Sequence, residues 1–423
     1  MKSKIKKIAL YGAGNYGRTV INILRKTKYI DIVFVCDSDK RKWGEVYENF
    51  VISAPNKIFD ENDFDGVFIS ILSDNDVDRY ILSKKDIKIY KRIHELVAET
   101  IYWDISGICN AKCKYCVTGR NNVNHNSGYT KNSYMNLDTF KKNYSHLYEK
   151  GIISKESHLG LYNWKEPFLN PDIIDILNYC SDEGQNYILS TNASIVRMAT
   201  NENTYSKCES IHFSMPGFSQ ESYNRIHGFV FNTIKDNIVK IKKDMLEHGF
   251  AGEFVINAHI YRFSEEEIKC LREWAEEEGI IVSAYYPYLA GNSLVADYFE
   301  GRLDAELIRD ISSDLFLQWD DKISQECIKN FENPICHQLT IDESGNLTLC
   351  CAADEFCSCY NEWGKIENLN SYEDYIRIKN KMLECKTCMD CKKYAIAYRI
   401  LNCNNPITNR KESESTVLDE STY

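Results

Sequence analysis

Cys109, Cys113 and Cys116 stand in the string Cys109-Asn-Ala-Lys-Cys113-Lys-Tyr-Cys116, a C-x3-C-x2-C spacing on one short stretch. Thiolates are the soft ligands that iron–sulfur clusters and zinc select. Three of them on one loop can hold three irons of a [4Fe–4S] cluster and leave the fourth iron open to a small molecule. A closed zinc site, or a fully ligated electron-transfer cluster, asks for a fourth ligand nearby. A zinc knuckle or incidental thiols are the competing reading. Ten of the chain's 17 cysteines lie much further on, between Cys327 and Cys403. There Cys336 and Cys350-Cys351 mark the two bases of a hairpin-like segment that turns at Asp342 to Gly345, and Cys385-Lys-Thr-Cys388-Met-Asp-Cys391 follows. A hairpin pair plus a distant C-x2-C supplies four thiolates, enough for one further cluster or for a zinc ribbon.

A second chemistry-bearing pattern opens the chain. Gly12-Ala-Gly14-Asn-Tyr-Gly17 follows the apolar run Ile8–Tyr11 and precedes a helical pattern through Val20, Ile21, Ile23 and Leu24. Glycines in such a turn let the backbone approach a pyrophosphate, which sits at the helix N-terminus. Asp37, 20 residues beyond Gly17, closes the next apolar run, where an acid can bond a ribose hydroxyl. Gly12, Gly14, Gly17 and Asp37 are therefore candidate nucleotide-binding residues. Domains of this shape also serve as docking or structural units, so ligand binding is a separate question.

Composition narrows the classes. With 43% hydrophobic and 27% charged residues, the 423-residue chain reads as globular and long enough for two or three domains. Its formal net charge of −11 and lack of a long Lys/Arg run argue against nucleic acid as the main partner. Met1 to Lys7 is basic, but the apolar stretch after it stops at Gly12, too short for a signal peptide. No segment reaches the apolar length of a membrane span. Seventeen cysteines without an export signal point to a reducing, cytoplasmic setting and to metal.

The elements that position these residues fall into blocks. Residues 1–95 read as a Rossmann-like strand–glycine loop–helix–strand unit, with further strands at Val67–Ile71 and Ile87–Tyr90. Residues 98–290 alternate apolar runs with helical stretches, as a parallel β/α barrel does. The candidate strands are Ile101–Ile105, His158–Tyr162, Tyr187–Ser190, Ser210–Ser214, Phe254–His259 and Ile280–Ala284. Six repeats fall short of a closed eight-strand barrel. The polar stretch from Gly119 to Asn136 reads as a loop. A helical connector over 291–326, a cysteine-rich domain over 327–403 and a disordered tail over 404–423 complete the expected α/β organisation.

The C-x3-C-x2-C loop after a strand, with aromatic Tyr115 before the third cysteine, resembles the radical S-adenosylmethionine superfamily. That family's fold is an open six-strand partial barrel, as the repeat count allows. Leu159-Gly-Leu-Tyr-Asn-Trp-Lys-Glu166-Pro167 resembles its Gly-Gly-Glu-Pro motif. The resemblance places Glu166 at the cofactor's amino group, with Lys165 as the departure from the pattern. It puts Ser190, Thr191 and Asn192 near the cofactor's ribose, with an ordinary helix N-cap as the plainer alternative, and makes Asn257 a further candidate. Phe213 to Tyr223 resembles the fifth strand and following helix of the subgroup with C-terminal cysteine domains. His125, His212, His227 and His259 are each either a proton donor or a hydrogen-bonded structural histidine. The C-terminal cysteines resemble a SPASM or shorter twitch domain, with Cys336, Cys350, Cys388 and Cys391 or Cys385 as ligands of one auxiliary cluster.

What the resemblance implies is an enzyme. It reductively cleaves S-adenosylmethionine to a 5′-deoxyadenosyl radical and abstracts hydrogen from its substrate, an oxidoreductase reaction such as a dehydrogenation. A flavodoxin or ferredoxin would supply the electron. The nucleotide-type domain at the N-terminus favours a small-molecule or sugar substrate. A peptide-modifying maturase is the rival within the class, and a non-enzymatic iron–sulfur or zinc scaffold the rival outside it.

Overall fold

The computed structural model describes residues 5–25, 27, 30–71, 76–124, 133–287, 292–315, 338–353, 357 and 359–396. Two sheets organise them. The first contains β1 (Lys6–Tyr11), β2 (Ile30–Cys36), β3 (Val46–Tyr47), β4 (Phe50–Ser53), β5 (Gly66–Ile69) and β6 (Lys88–Tyr90), in the order β3-β4-β2-β1-β5-β6. All pairs are parallel except the β3–β4 hairpin, whose strands of two and four residues are too short to stand out in the sequence. Helices α1 (Asn15–Arg25), α2 (Lys57–Asp60) and α3 (Asp76–Leu82) accompany this sheet.

Successive residues of β1 point to opposite faces, and both faces are covered. Ile8 and Leu10 join Val20, Ile21 and Leu24 of α1 in one core, while Ala9 and Tyr11 join Phe34, Val67 and Ile81 in another. Each fully buried Ile or Leu here contributes roughly 1.5–3 kcal/mol. The glycine turn is set by packing: Gly12 has φ +110°, and a Cβ on Gly17 would lie 2.3 Å from the Gly12 carbonyl oxygen.

The second sheet has seven strands in the order β12-β11-β10-β9-β8-β7-β13, all pairs parallel. They are β7 (Thr100–Trp103), β8 (His158–Gly160), β9 (Tyr187–Thr191), β10 (Cys208–Met215), β11 (Glu253–His259), β12 (Ile281–Tyr285) and β13 (Leu339–Ile341). Between them run α4 (Val117–Asn124), α5 (Leu137–Glu149), α6 (Ile173–Asp182), α7 (Gln220–Arg225), α8 (Phe231–Glu247) and α9 (Glu267–Glu277). Then come α10 (Asn292–Phe299), α11 (Ala305–Asp314), and, after β13, α12 (Tyr372–Met382) and α13 (Lys386–Lys393). Ile211, Phe213, Met215, Ile256 and Ala258 pack outward under the helices. The alternate residues, His212, Ser214 and Asn257, therefore occupy the other face of the sheet.

One expectation changes. Residues 117–124 are helix α4, whereas the sequence suggested loop from Gly119. Asn122 on that helix donates to the carbonyls of Cys109 and Ala111, both at 2.7 Å, which ties helix and cysteine loop together. The segment around Asp342–Gly345 does turn, with Gly345 at φ +77° and its amide donating to Asp342. The second arm returns antiparallel, the Thr348 amide donating to the Thr340 carbonyl at 2.9 Å and the Asp342 amide to the Asn346 carbonyl at 3.0 Å, and the first arm also pairs with β7. Cys336, His125 and the tail 404–423 lie outside the described residues, as does most of the connector beyond 315. Among the described residues no helix is long and apolar enough to cross a membrane.

Candidate active site at the cysteine loop

The site is built from the C-terminal ends of β7, β8 and β9, three successive strands of the sheet. Asp104, one residue past β7, is 3% exposed and accepts backbone N–H bonds from Asn163 (2.8 Å), Trp164 (3.1 Å) and Lys165 (3.1 Å). This one carboxyl shapes the turn that delivers Glu166. Burial pushes its pKa up to about 7 against the pull of those N–H groups and Lys165. The Glu166 amide then donates to the carbonyl of Ile108 at 3.0 Å, locking this turn to the cysteine loop. Sequence reasoning gave Asp104 no role. An acid closing a buried strand run was the available signal.

Glu166 is 3% exposed, and both its oxygens already accept hydrogen bonds. Oε1 takes the Thr191 hydroxyl at 2.8 Å and the Phe168 amide at 3.1 Å, while Oε2 takes the Asn192 amide at 2.8 Å. Burial pushes its pKa up to about 7 in spite of these donors. Asn192 reaches from the tip of β9 to the loop: its Nδ2 donates to Asn110 Oδ1 at 3.1 Å and lies 3.8 Å from Cys109 Sγ. Glu166, Thr191 and Asn192 thus form one hydrogen-bonded group against Cys109. Lys165 turns away to Thr118 on α4, with Nζ–Oγ1 3.2 Å. Trp164 donates its indole N–H to the Ala353 carbonyl at 2.9 Å.

Ser190 belongs to a different group. Its neighbour Thr191 faces Glu166, so the pleat turns Ser190 to the other side of β9, where it pairs in register with His212. His212 Nδ1 lies 3.4 Å from Asn257 Oδ1, and burial lowers the imidazole pKa. Ser190, His212 and Asn257 therefore line the inner face of the sheet.

Tyr115 has a supporting place. Its ring is 6% exposed and packs 6.0 Å from Tyr261, and its hydroxyl donates to Asp314 at the end of α11. The side chain is anchored in packing beneath the loop, with its hydroxyl committed to Asp314. His227 supports the loop too, since its carbonyl accepts the Lys112 amide at 2.9 Å. Burial drives the His227 pKa to about 3 and that of His259 to about 4, so neither carries charge near neutral pH.

The three loop thiols are close enough to act on one another. Burial, then the Glu166 carboxylate, pushes Cys109 up to about 12, and Cys113 is raised by burial and by both neighbouring thiols. Among the described residues, no three Cys, His, Asp or Glu side chains converge in metal-ligating geometry. What the loop provides is a donor set on one backbone scaffold.

In the C-terminal part, Cys350, Cys385 and Cys388 pack against the main core. The Cys388 thiol, its amide and the Cys359 thiol bond Cys385 and hold its pKa at about 5. Cys391 instead packs against the cluster of Tyr115, Ile226, Tyr261 and Ile311. Six residues at 3.6 per turn carry it around α13 from Cys385. The Cys359 thiol stands beside Cys385, a neighbour absent from the expected set of Cys336, Cys350, Cys388 and Cys391 or Cys385. Its φ of +64° is what turns it there, and its spacing gave no sign of that.

In the N-terminal sheet, Asp37 is 6% exposed and its carboxylate is committed. It accepts from the Ala13 and Asp39 amides, each at 2.8 Å, and from Lys42 at 3.0 Å. Burial works to raise its pKa, and these donors outweigh burial and lower it. Asp37 braces the glycine turn through these bonds. Gly14 is exposed, and a Cβ there would meet nothing within 4 Å.

Residues 4–93 match the family model of C2185-like N-terminal domains. No curated protein matches the chain. Among solved structures, Streptococcus suis SuiB bound to S-adenosylmethionine is similar at 16% identity, over 78% of this chain and 81% of that one, with a TM-score of 0.46. SuiB bound to its precursor peptide SuiA aligns at 14% identity over 81% and 80%, TM-score 0.46. A structure of anSMEcpe with bound AdoMet aligns at 12% identity over 69% and 82%, TM-score 0.42. Identity and overlap this low transfer no activity, so the functional reading rests on the site itself.

Proposed function

We propose that this chain is a radical S-adenosylmethionine enzyme. The observation that carries the reading is the placing of the C-x3-C-x2-C loop. It follows the first strand of a six-strand parallel β/α unit and lies against the buried Glu166–Thr191–Asn192 group at the tips of the next two strands. Three thiols on one loop are the donor set of a [4Fe–4S] cluster with one open iron. Burial raises the Cys109 and Cys113 thiols, and the charge of a bound metal would favour their thiolate form. When bound, the cluster supplies the electron that splits S-adenosylmethionine and yields the 5′-deoxyadenosyl radical.

The chain's own residues position and enclose. Asp104 fixes the 163–165 turn, and Glu166 orders the β9 tip so that Asn192 meets the loop. Ser190, His212 and Asn257 give the inner face hydroxyl, imidazole and amide groups suited to a polar small molecule or sugar, undergoing oxidation. A glycine-turn domain in the N-terminal position supports the same substrate class. Cys350, Cys359, Cys385 and Cys388 are the thiols suited to an auxiliary cluster. The test is anaerobic reconstitution followed by assay of 5′-deoxyadenosine with dithionite as reductant. Absence of that product from iron-loaded protein overturns the reading.

A further inference from the structure

One lysine stands where the helix period calls for an apolar residue. On α12, Lys379 shares the buried stripe of Tyr372, Tyr375 and Met382 and is only 3% exposed. Lysine is almost never buried to that degree unless a counter-ion answers it. Lys379 Nζ donates to two backbone carbonyls, Leu349 at 2.6 Å and Gln338 at 3.2 Å. An ammonium has three N–H donors, and no carboxylate pairs with this one among the described residues.

Tying α12 to the segment around β13 does not ask for charge. One turn back, the Tyr375 hydroxyl serves the same Gln338 carbonyl at 3.0 Å. A neutral donor at position 379 would do the same without the cost of burying an ion. The charge therefore needs an anion, and the groups at hand are sulfur. Leu349 directly precedes Cys350, so the ammonium stands one peptide unit from that residue. Cys350, Cys385 and Cys388 pack against the same core as Tyr375 and Met382. The Lys379 charge draws Cys350 toward its thiolate against burial, and Cys388 against its bond to Cys385 and burial.

We propose that Lys379 is the electrostatic partner of an auxiliary [4Fe–4S] cluster held by the C-terminal thiols, and that its charge raises the reduction potential of that cluster. The inference rests on the auxiliary-cluster reading above. A thiolate-held cluster gains one negative charge with each electron, and net charge and solvent exposure are among the factors that set its potential. A buried cation stabilises the reduced form more than the oxidised one, because water does not screen the larger charge there. A raised potential suits an acceptor for the oxidation proposed above: the substrate radical gives one electron to the cluster and one proton to water.

The test reads a potential and an iron content. The parent is the full chain carrying Cys109→Ala, Cys113→Ala and Cys116→Ala, reconstituted anaerobically, in which about four irons per chain belong to the auxiliary site. A mediated redox titration followed by electron paramagnetic resonance gives its midpoint. Lys379→Gln keeps N–H donors for the carbonyls and removes the charge. Its one-electron reduction constant should fall by about tenfold, which is 59 mV, at unchanged iron content. Lys379→Arg should stay at the parent potential, as should Lys381→Gln, exposed on the same helix. Iron held by Lys379→Arg and lost from Lys379→Gln also supports the pairing, since the anionic site then needs the charge to form. The parent potential in Lys379→Gln overturns the proposal. So does an equal fall in Lys379→Arg, or loss of iron from both variants, because hydrogen bonding or packing then accounts for the residue. A parent that takes up no iron removes the auxiliary-cluster reading itself, and the proposal with it.

Discussion

Two residues carry the site's internal logic. Cys113 is the middle thiol, and Cys113→Ala leaves two donors on the loop. Iron bound per chain should fall by about four, with loss of 5′-deoxyadenosine. Iron analysis beside product assay checks both. Asp104 acts without touching the thiols, through three backbone N–H groups. Asp104→Asn must set its amide N–H against one of those donors, a loss of about 1–3 kcal/mol in unfolding free energy. Its titration also has a sign. A carboxyl whose pKa rises to about 7 on folding, from an ordinary value of 3.8, takes up a proton as the chain folds. Its contribution is greatest at low pH and declines as pH rises through that window. The stability margin of wild type over Asp104→Asn should therefore shrink between pH 5 and pH 8. Denaturant midpoints at the two pH values read this directly, and a constant margin contradicts it.

At the scale of elements, α4 is the piece that holds the cysteine loop in shape. A Cβ on Gly119 would lie 2.3 Å from the Cys113 nitrogen and 2.5 Å from its carbonyl oxygen, both backbone atoms that cannot step aside cheaply. Alanine would add up to about 1 kcal/mol of helix propensity, but overpacking of this kind costs typically 1–3 kcal/mol. The clash wins. Gly119→Ala should lower the melting temperature and reduce iron uptake during reconstitution, whereas Ala substitution of exposed Gly14, where a Cβ meets nothing, should leave iron uptake unchanged. On α13, Cys388 and Cys391 lie three residues apart but pack into different clusters. Cys388→Ala should remove the auxiliary iron, and Cys391→Ala should keep it. Equal iron loss in both would reverse the assignment of Cys359 over Cys391.

In the whole molecule, the cysteine-rich part is joined to the barrel by β13 on β7 and by Trp164 reaching Ala353. The N-terminal sheet joins through Lys6 to Glu373 and the Tyr372 hydroxyl to the His94 carbonyl. No bond described here links the glycine turn to the cysteine loop. A change at the turn should therefore leave radical formation alone. Gly14→Val, at an exposed position with open space, should unfold nothing and should block a nucleotide-bearing ligand sterically. Calorimetry of wild type and variant against NAD, coenzyme A and nucleotide sugars reads the block, and 5′-deoxyadenosine formed without substrate should be equal in both. Asp37→Ala is the contrasting case: with its bonds to Ala13, Asp39 and Lys42 gone, the turn itself should loosen and stability should fall by about 1–3 kcal/mol.

Much of this was legible in the chain because it is local. A thiol triple at fixed spacing, a glycine turn between strand and helix, and six apolar runs each state their meaning within about twenty residues. The six barrel strands accordingly lie where those runs are, to within two residues at either end. What the sequence left open depends on groups brought together from far apart. Glu166 meets Thr191 and Asn192 across 25 and 26 positions. Asp37 turns back 24 positions to the glycine loop, and Tyr115 finds Asp314 across 199. No periodicity encodes such a meeting, because a side chain's partner is decided by which strand tips the sheet order sets side by side. Of the two thiols expected as alternatives, Cys385 meets Cys388 and Cys359 while Cys391 packs in another cluster, again by packing that spacing does not encode. Residue types determined which chemistry the chain can hold, and tertiary packing decided which of those residues stand together to perform it.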